Sequence, residues 1–308
     1  MGAKPERDDH AQVNWRYAGW LTSAAVSAYV LFRLLPTGTN LHHMDFRVEG
    51  KGALEMCDPS RPQFIPVVAA RSPVTMLLNR AAGKNEWLLT LATVGGKPVG
   101  PEDLLTVHTQ KLHLLVVDET LEDYQHLHPE PGARPGEWRF MHVPKLGGVY
   151  RVFADFTPAA TGRGLYAFAD YGEPVADLSQ PYSGGTVETW SAIAGKWVFT
   201  ITPGATEGIR AGQATTLRFK VRASPAGGLV PLELVMDAYA HLVAFDLKRT
   251  GFAHLHPRAD EQAKRPDTSL PELNFDLMIP QPGQYVIWAQ VRLAGEMVFA
   301  PFRFEVKP

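Results

Sequence analysis

Two short segments of this sequence, LHLLVVD at residues 112–118 and YQHLHP at residues 124–129, have close copies further along the chain. The copies are AHLVAFD at residues 240–246 and FAHLHP at residues 252–257, and they lie 128 residues later without a gap. Both carry the pattern H-x12-H-x-H-P, with a leucine and an aspartate after the first histidine also in common. A match of this density indicates a tandem duplication.

The repeat continues beyond the histidines at a different spacing. The segment at residues 143–155 resembles the segment at residues 279–290, and the offset from residues 150–155 to residues 285–290 is 135. About seven residues are therefore inserted in the second copy. The polar residues 258–269 are expected to hold this insertion as a surface loop.

Strand signals dominate the chain after residue 35, where helical periodicity is weak. LRFKVR at residues 217–222 and FRFEV at residues 302–306 alternate apolar and charged side chains, which is typical of half-buried strands. Ala294-Gly295 has the character of a hairpin turn between two such runs. The sequence therefore predicts a mostly β protein made of two tandem antiparallel β-sandwiches.

Composition limits the function classes. The chain has 308 residues, a net charge of −2 and 20% charged residues, which argues against a nucleic-acid binder and favours ordinary globular domains. Its single cysteine, Cys57, excludes an intrachain disulfide, cysteine-rich zinc sites and a CxxC motif. Because Cys57 lies outside both repeats, a blue-copper centre with a cysteine ligand is also excluded.

The N-terminal region contains an uncharged, mostly apolar run at residues 17–32 that Arg33 closes. If Arg33 extends to the interface, residues 17–35 form a single-pass membrane anchor, with the bulk of the chain outside the cytoplasm in the periplasm. The alternatives are a signal peptide cleaved after Ala28 and a buried helix of a soluble protein. The predicted segments are a tail and anchor at 1–36, a tether at 37–54, sandwiches at 55–172 and 190–308, and a linker at 173–189.

The spacing of the histidines allows them to converge. A hairpin loop of two or four residues would place His113 opposite His126 or His128, on the same face of the sheet. A loop of three residues would separate His113 from the other two histidines. Three imidazoles on one face would suit copper or zinc and would leave an open coordination position. The candidate metal ligands are His113, His126, His128, His241, His254 and His256.

Other residues have weaker claims. Asp118 and Asp246 are candidates for orienting a ligand ring through its second nitrogen. His42, His43 and Met44 form either an accessory metal contact or a plain polar linker. Asp155 is replaced by Gln290 in the second copy, so the shared fold does not require it, although a special role in the first copy stays open.

Two further histidines, His108 and His142, have no counterpart in the second copy and are interpreted as surface or strand residues, with an extension of the first site as the alternative. The alternative reading of all the repeated histidines is architectural. In that reading each ring hydrogen-bonds a nearby backbone carbonyl and stabilises a structural corner that ends at the proline.

The HLHP segments, with their preceding apolar strands, resemble those of a family of bacterial envelope proteins with HLHP or HVHP motifs. These are similar to small cupredoxin-like or immunoglobulin-like modules found with copper and heavy-metal handling systems, and the resemblance covers most of residues 85–156 and 217–306. It implies an extracytoplasmic cupredoxin-like or immunoglobulin-like β-sandwich with a role in metal handling. The sequence lacks the methionine-rich tracts of copper-tolerance proteins, which argues against a methionine Cu(I) site.

We therefore expect a membrane-anchored protein that binds a transition metal, copper before zinc, for buffering, delivery or sensing, with another envelope protein as a second candidate partner. The alternative is a structural or interaction module of the envelope whose histidines only stabilise the HLHP corner. A metal-dependent enzyme is not expected, since the sequence identifies no general base, and it contains no GxSxG, HExxH, phosphate-loop or dinucleotide motif.

Overall fold

A computed structural model describes residues 14–34, 41–47, 63–174, 189–205, 207–262 and 264–308. The chain forms two compact units, Met1–Asn40 and Leu41–Pro308. Cys57, most of the predicted tether and most of the predicted linker lie outside the described residues. All the strands belong to the second unit.

The first unit contains helix α1, Trp15–Leu34, which agrees with the helix predicted for the apolar N-terminal run. Among the described residues, no helix is both long enough and apolar enough to cross a membrane. The predicted anchor over residues 17–35 is therefore not supported by this helix, and the membrane location stays a prediction.

The strands that follow form two antiparallel four-stranded sheets, which together we call module one. Their cores share Leu89 and Trp138 from one sheet with Leu114 and Val152 from the other, so the two sheets pack face to face. The sheet orders are β1-β2-β6-β5 and β4-β3-β7-β8. The strands are β1 Val74–Arg80, β2 Glu86–Thr93, β3 Leu112–Asp118, β4 Tyr124–Leu127, β5 Glu130–Pro131, β6 Glu137–Met141, β7 Tyr150–Phe156 and β8 Leu165–Tyr171.

The second half of the chain repeats this plan as module two. Its sheets are β16-β12-β10-β9 and β11-β18-β17-β14-β15, with β13 also paired to β17, and Phe219, Phe275 and Phe302 lie in the core between them. All its strand pairs are antiparallel except β11 with β18. The elements are β9 Ser191–Ala194, β10 Trp197–Pro203, β11 Ile209–Arg210, β12 Ala214–Ala223, β13 Leu232–Glu233, β14 His241–Asp246, β15 Phe252–Leu255, α2 Ala259–Gln262, β16 Glu272–Met278, β17 Gly283–Leu293 and β18 Glu296–Lys307.

Several local predictions are confirmed. Ala294 and Gly295 join β17 to β18 as a two-residue turn, and their positive φ angles of 52° and 82° are those a type I′ hairpin requires. The alternating residues 217–222 lie in β12 with their apolar side chains buried. The inserted segment at residues 258–269 contains the short helix α2 and is largely exposed in its described part.

The two modules pack against each other through the sheets that carry the HLHP segments. On β3, Leu114 and Val116 point into the core of module one, whereas Leu115 and Val117 face the opposite way. There they join one apolar cluster with residues of module two, among them Phe245. This second buried face explains why residues 112–118 are apolar at nearly every position.

Polar contacts reinforce this interface. The indole Nε1 of Trp288 in module two donates to the carbonyl oxygen of Leu121 in module one at 3.2 Å. The Arg249 guanidinium donates to the carbonyl oxygen of Val149 at 2.9 Å. In return, Arg151 of module one donates to the carbonyl oxygen of Arg249 at 2.6 Å.

The chain segment just before β1 belongs to the second module by its contacts. The Phe64 amide donates to Met278 and the Ile65 amide to Phe252, at 3.0 and 2.8 Å. The Phe64 side chain lies in the core of module two. These residues were predicted to belong to the first sandwich. The segment instead contacts module two and connects it to module one.

Candidate metal centre

The register of β3 with β4 brings the first three histidines onto one face. Leu114 pairs with Leu127 and Leu115 pairs with His126, so the next position along the ladder sets His128 opposite His113. Since residues two apart share a face, all three rings lie on the side of Leu115. The Asp118 amide donates to the Asp123 carbonyl oxygen at 3.2 Å and extends this register, so residues 119–122 form the four-residue loop that convergence requires.

The second copy has the same register. Leu242 pairs with Leu255 and Val243 pairs with His254, which sets His256 opposite His241. The two histidine triads are therefore built by the same strand pairing in both modules. One ring nitrogen from each residue of a triad lies within 4.8 Å of the others, in the triad of His113 and in the triad of His241 alike.

The aspartates at the ends of β3 and β14 do not orient these rings, which corrects the sequence prediction. Asp118 accepts hydrogen bonds from the backbone amides of Thr120, Glu122 and Asp123, each at 2.8 Å. Asp246 accepts from the amides of its own turn at 2.7 and 3.2 Å. Both carboxylates hold the hairpin turn, because a four-residue loop leaves several amides without strand partners.

In the first triad, two ring nitrogens face each other. His113 Nε2 donates to the Val107 carbonyl oxygen at 3.0 Å, and His126 Nδ1 donates to Gln290 Oε1 at 2.9 Å. A neutral imidazole has one proton, so the remaining nitrogens, His113 Nδ1 and His126 Nε2, both carry lone pairs. They lie 3.2 Å apart. Tetrahedral coordination at about 2.0–2.1 Å sets two ligand nitrogens about 3.3 Å apart.

The second triad has the same pattern. His241 Nε2 donates to the Val235 carbonyl oxygen at 2.8 Å, and His254 Nδ1 donates to the Asp155 carboxylate at 3.3 Å. Within the part of the chain that the structure describes, several buried nitrogens of the two triads have no hydrogen-bond partner. These are His128 Nε2, His241 Nδ1, His254 Nε2 and His256 Nε2. Buried polar atoms are rarely left unpaired, and these nitrogens could serve as ligand atoms for a metal ion.

Burial keeps these imidazoles neutral, which is the protonation state a metal requires. Loss of water lowers the pKa of His241 to about 3 and that of His128 to about 4. Burial, followed by the neighbouring imidazoles, lowers the pKa of His126, His254 and His256 well below the usual value of 6.5. At neutral pH the cluster therefore offers lone pairs rather than protons.

The two triads lie next to each other at the module interface. The ring centres of His126 and His254 are 5.1 Å apart, and those of His113 and His254 are 5.8 Å apart. Within the first triad the corresponding distances are 4.8 to 5.3 Å. This juxtaposition was not predicted from the sequence, because each triad was assigned to its own sandwich.

The sequence interpretation underestimated Gln290 and Asp155. Asp155 pairs with His113 in the ladder of β3 with β7, and Gln290 pairs with His241 in the ladder of β14 with β17. Each side chain bonds a histidine of the other module. Their equivalent positions in the repeat, both with hydrogen-bonding side chains, were the signal that could have identified them.

The remaining histidines have different surroundings. His108 stacks on His256 at a ring-centre distance of 3.8 Å and so adjoins the triad of module two, although it belongs to module one. His142 bonds the Tyr171 hydroxyl and packs against Tyr150, which agrees with a role outside the site. His42 Nδ1 accepts from the Met44 amide at 3.1 Å and caps a short 3-10 helix, which favours the linker reading.

A cleft of ≈ 440 Å³ opens beside the first triad. His126 and His128 line one part of it, and Met236 and Met297 line another. Gln290, which also lines the cleft, donates from Nε2 to the Met297 sulfur at 3.3 Å. Two histidines of the first triad therefore adjoin a cleft that two methionines also line.

Comparison with known proteins assigns a family. A family model described as a domain of unknown function, DUF8832, matches residues 72–168 and 198–308. The chain belongs to the DUF8832 family. Its matched segments correspond to the two modules, so the histidine centre lies at the junction of two DUF8832 regions.

Other comparisons add no functional assignment. No curated protein matches this chain. Two crystal structures of Parabacteroides merdae β-glucuronidase, one with glycerol in its active site, are similar at 8% and 7% identity, with TM-scores of 0.18 and 0.17. The matches cover 76% and 73% of this chain but only 24% and 22% of those chains, and at such TM-scores they carry no argument.

Proposed function

We propose that this DUF8832 protein binds a transition metal, copper in the first instance, through its two histidine triads. The observation that carries the proposal is the set of buried imidazole nitrogens that converge without partners, together with the two lone pairs that meet at 3.2 Å in the first triad. Facing lone pairs repel each other unless a proton or a cation lies between them. Burial disfavours an added proton that would charge either ring, and a metal ion is a group that both lone pairs could bind.

Donor chemistry narrows the metal. Neutral imidazole suits both copper and zinc, and three such ligands leave a coordination position open. The resemblance of the HLHP segments to metal-handling envelope proteins favours copper. The thioethers of Met236 and Met297 beside the first triad favour a soft ion in the same direction.

The cellular role we propose is buffering, delivery or sensing outside the cytoplasm rather than catalysis. The location rests on the apolar composition of residues 17–32, and the absence of catalysis rests on the lack of a recognisable general base. An ion in the first triad would be accessible through the cleft. Accessibility of this kind suits exchange with a partner protein or a small carrier.

The architectural alternative has one observation in its favour. One nitrogen of His113 and one nitrogen of His241 bond the carbonyl oxygens of Val107 and Val235, as that reading predicts. The same bonds are also what metal-binding histidines make through their second nitrogen, where they fix the ring and its tautomer. The architectural reading leaves the other ring nitrogens of these triads without a role.

The test is metal content of the full chain, purified without a histidine tag. We expect near-stoichiometric copper or zinc in the wild-type protein. We expect none in a site variant that carries His126→Ala, His128→Ala, His254→Ala and His256→Ala and whose thermal unfolding shows that it is still folded. A control carrying His42→Ala and His43→Ala should keep the metal. Absence of metal from every protein, with a lower melting temperature only in the site variant, would leave the histidines as architecture.

A further inference from the structure

The arrangement of the six rings does not separate into two independent sites. The ring centres of His126 and His241, which belong to different triads, are 6.0 Å apart, and those of His241 and His254 within one triad are 5.6 Å apart. Distances across the interface and within a triad are thus of the same size. Two ions bound by these rings would lie on the order of 5–10 Å apart, since each nitrogen holds its ion at about 2.0–2.1 Å.

Each triad also depends on the opposite module for a hydrogen bond to one of its ligands. Gln290 of module two fixes the ring of His126 in module one, at 2.9 Å. Asp155 of module one fixes the ring of His254 in module two, at 3.3 Å. The bonds cross the interface in both directions, so docking of the modules completes both halves of the centre together.

The charge of this cluster limits what it can hold. The six rings are neutral ligands, and Asp155 is the one carboxylate among the described residues that bonds a ring of either triad. Two divalent ions would therefore bring four positive charges to a buried site with one anionic neighbour. The repulsion between two charges scales with their product, so two divalent ions repel four times as strongly as two monovalent ions at the same separation.

We propose that the two triads form one two-ion centre shared by the modules, and that it takes a pair of Cu(I) ions but only one divalent ion tightly. This inference rests on the proposed function. A Cu(I) ion bound by three neutral imidazoles carries a single charge, which halves the total charge of the loaded centre. The thioethers of Met236 and Met297 in the adjoining cleft supply soft donors along the approach to the first triad, in keeping with a monovalent copper cargo.

Scaling of the repulsion gives a quantitative expectation. If the second Cu(I) binds more weakly than the first by some factor, the second Zn(II) should bind more weakly by the fourth power of that factor. A loss of about fivefold for Cu(I) thus corresponds to a loss of about 600-fold for Zn(II). Independent sites would instead take two Zn(II) ions whose affinities differ no more than those of the two Cu(I) ions.

The experiment is a pair of titrations of the metal-free full chain, with Cu(I) under anaerobic reducing conditions and with Zn(II), each against a competing chromophoric chelator. Two Cu(I) ions of similar affinity and a single tight Zn(II) ion would support the inference. Two Zn(II) ions whose affinities differ no more than those of the two Cu(I) ions would overturn it and would leave the proposed function intact. If neither Cu(I) nor Zn(II) binds, both proposals are overturned.

A variant that lacks one triad tests whether repulsion between the two bound ions, rather than the absence of a second site, limits Zn(II) binding. With His126→Ala and His128→Ala, we expect one Cu(I) ion and one Zn(II) ion, and an unchanged affinity for the first Zn(II). If the intact protein and this variant both take a single Cu(I) ion, the first triad holds no copper and the shared centre is refuted. Circular dichroism of the variant establishes that it is folded.

Discussion

Acid should destabilise the metal-free protein strongly between neutral pH and pH 5, because its buried imidazoles must remain neutral in the folded state. Burial lowers the pKa of His241 to about 3 and that of His128 to about 4. In the unfolded chain both rings ionise near the ordinary value of about 6.5. Protons therefore bind the unfolded chain first as the pH falls, and they favour unfolding.

The size of the effect follows from these two residues. At pH 5 each ring costs the folded state about 2 kcal/mol relative to pH 7 or above, so His128 and His241 together cost about 4 kcal/mol. The contribution to stability is complete above about pH 6.5 and is lost as the pH falls toward each folded-state pKa. The other buried rings of the cluster act in the same direction. A whole domain has about 5–15 kcal/mol of stability, so the loss is a large part of it.

The assay is urea unfolding of the metal-free chain at pH 7 and pH 5, followed by tryptophan fluorescence. His241→Gln should reduce the difference between the two pH values by about 2 kcal/mol, and copper should protect the wild-type protein at pH 5. His142→Gln is a matched control for the effect of copper: it should reduce the pH difference by a similar amount and leave the protection by copper at pH 5 unchanged. Burial also lowers the pKa of His142 to about 4, but this ring lies outside both triads. Equal free energies of unfolding at pH 7 and pH 5 in the metal-free protein would refute the reasoning.

Three further predictions concern the interface and the turns. Phe245→Ala should lower the free energy of unfolding by about 3–5 kcal/mol in chemical denaturation, because Phe245 is fully buried between the modules, and a loss under about 1 kcal/mol would contradict that packing. Asp118→Ala should lower the melting temperature, because the hydrogen bonds that hold its turn are lost, and should keep the metal stoichiometry. Loss of metal without loss of stability would instead indicate that Asp118 orients a metal ligand. Asp155→Asn should weaken metal affinity about 10–100-fold in chelator competition, and Asp170→Asn, which breaks a surface ion pair with Arg151, should leave it unchanged.

Much of the fold could be predicted from local pattern. Period-two alternation identified β12 and the C-terminal strand, and the ungapped histidine repeat predicted that both copies share one strand register. Convergence of each triad followed from pleat geometry once the loop length was right. These features depend on neighbours within one hairpin, where sequence spacing and spatial distance are tied together.

What the sequence did not predict depends on contacts between distant segments. The meeting of the two triads requires the outer face of β3 to pack on β14, and the corresponding sequence signal is only that both strands are apolar on both faces. His108 reaches the triad of module two across the interface, from a turn whose repeat counterpart carries Met236 at the same position. Asp118 was assigned to ligand orientation because a carboxylate near a histidine has that role in many sites. Here the carboxylate instead accepts hydrogen bonds from backbone amides of the tight turn, which have no strand partners.

The two halves of the centre are chemically unequal, and the inequality links the modules. The bond from His254 ends on a carboxylate, that of Asp155, and the bond from His126 ends on a neutral amide, that of Gln290. A carboxylate partner raises the donor strength of a coordinating imidazole more than an amide does, so the triad of module two should hold the tighter ion. That strength is supplied by module one. Asp155 and Gln290 occupy equivalent positions of the repeat, so under the proposed function the stronger half of the centre depends on the other module for its carboxylate.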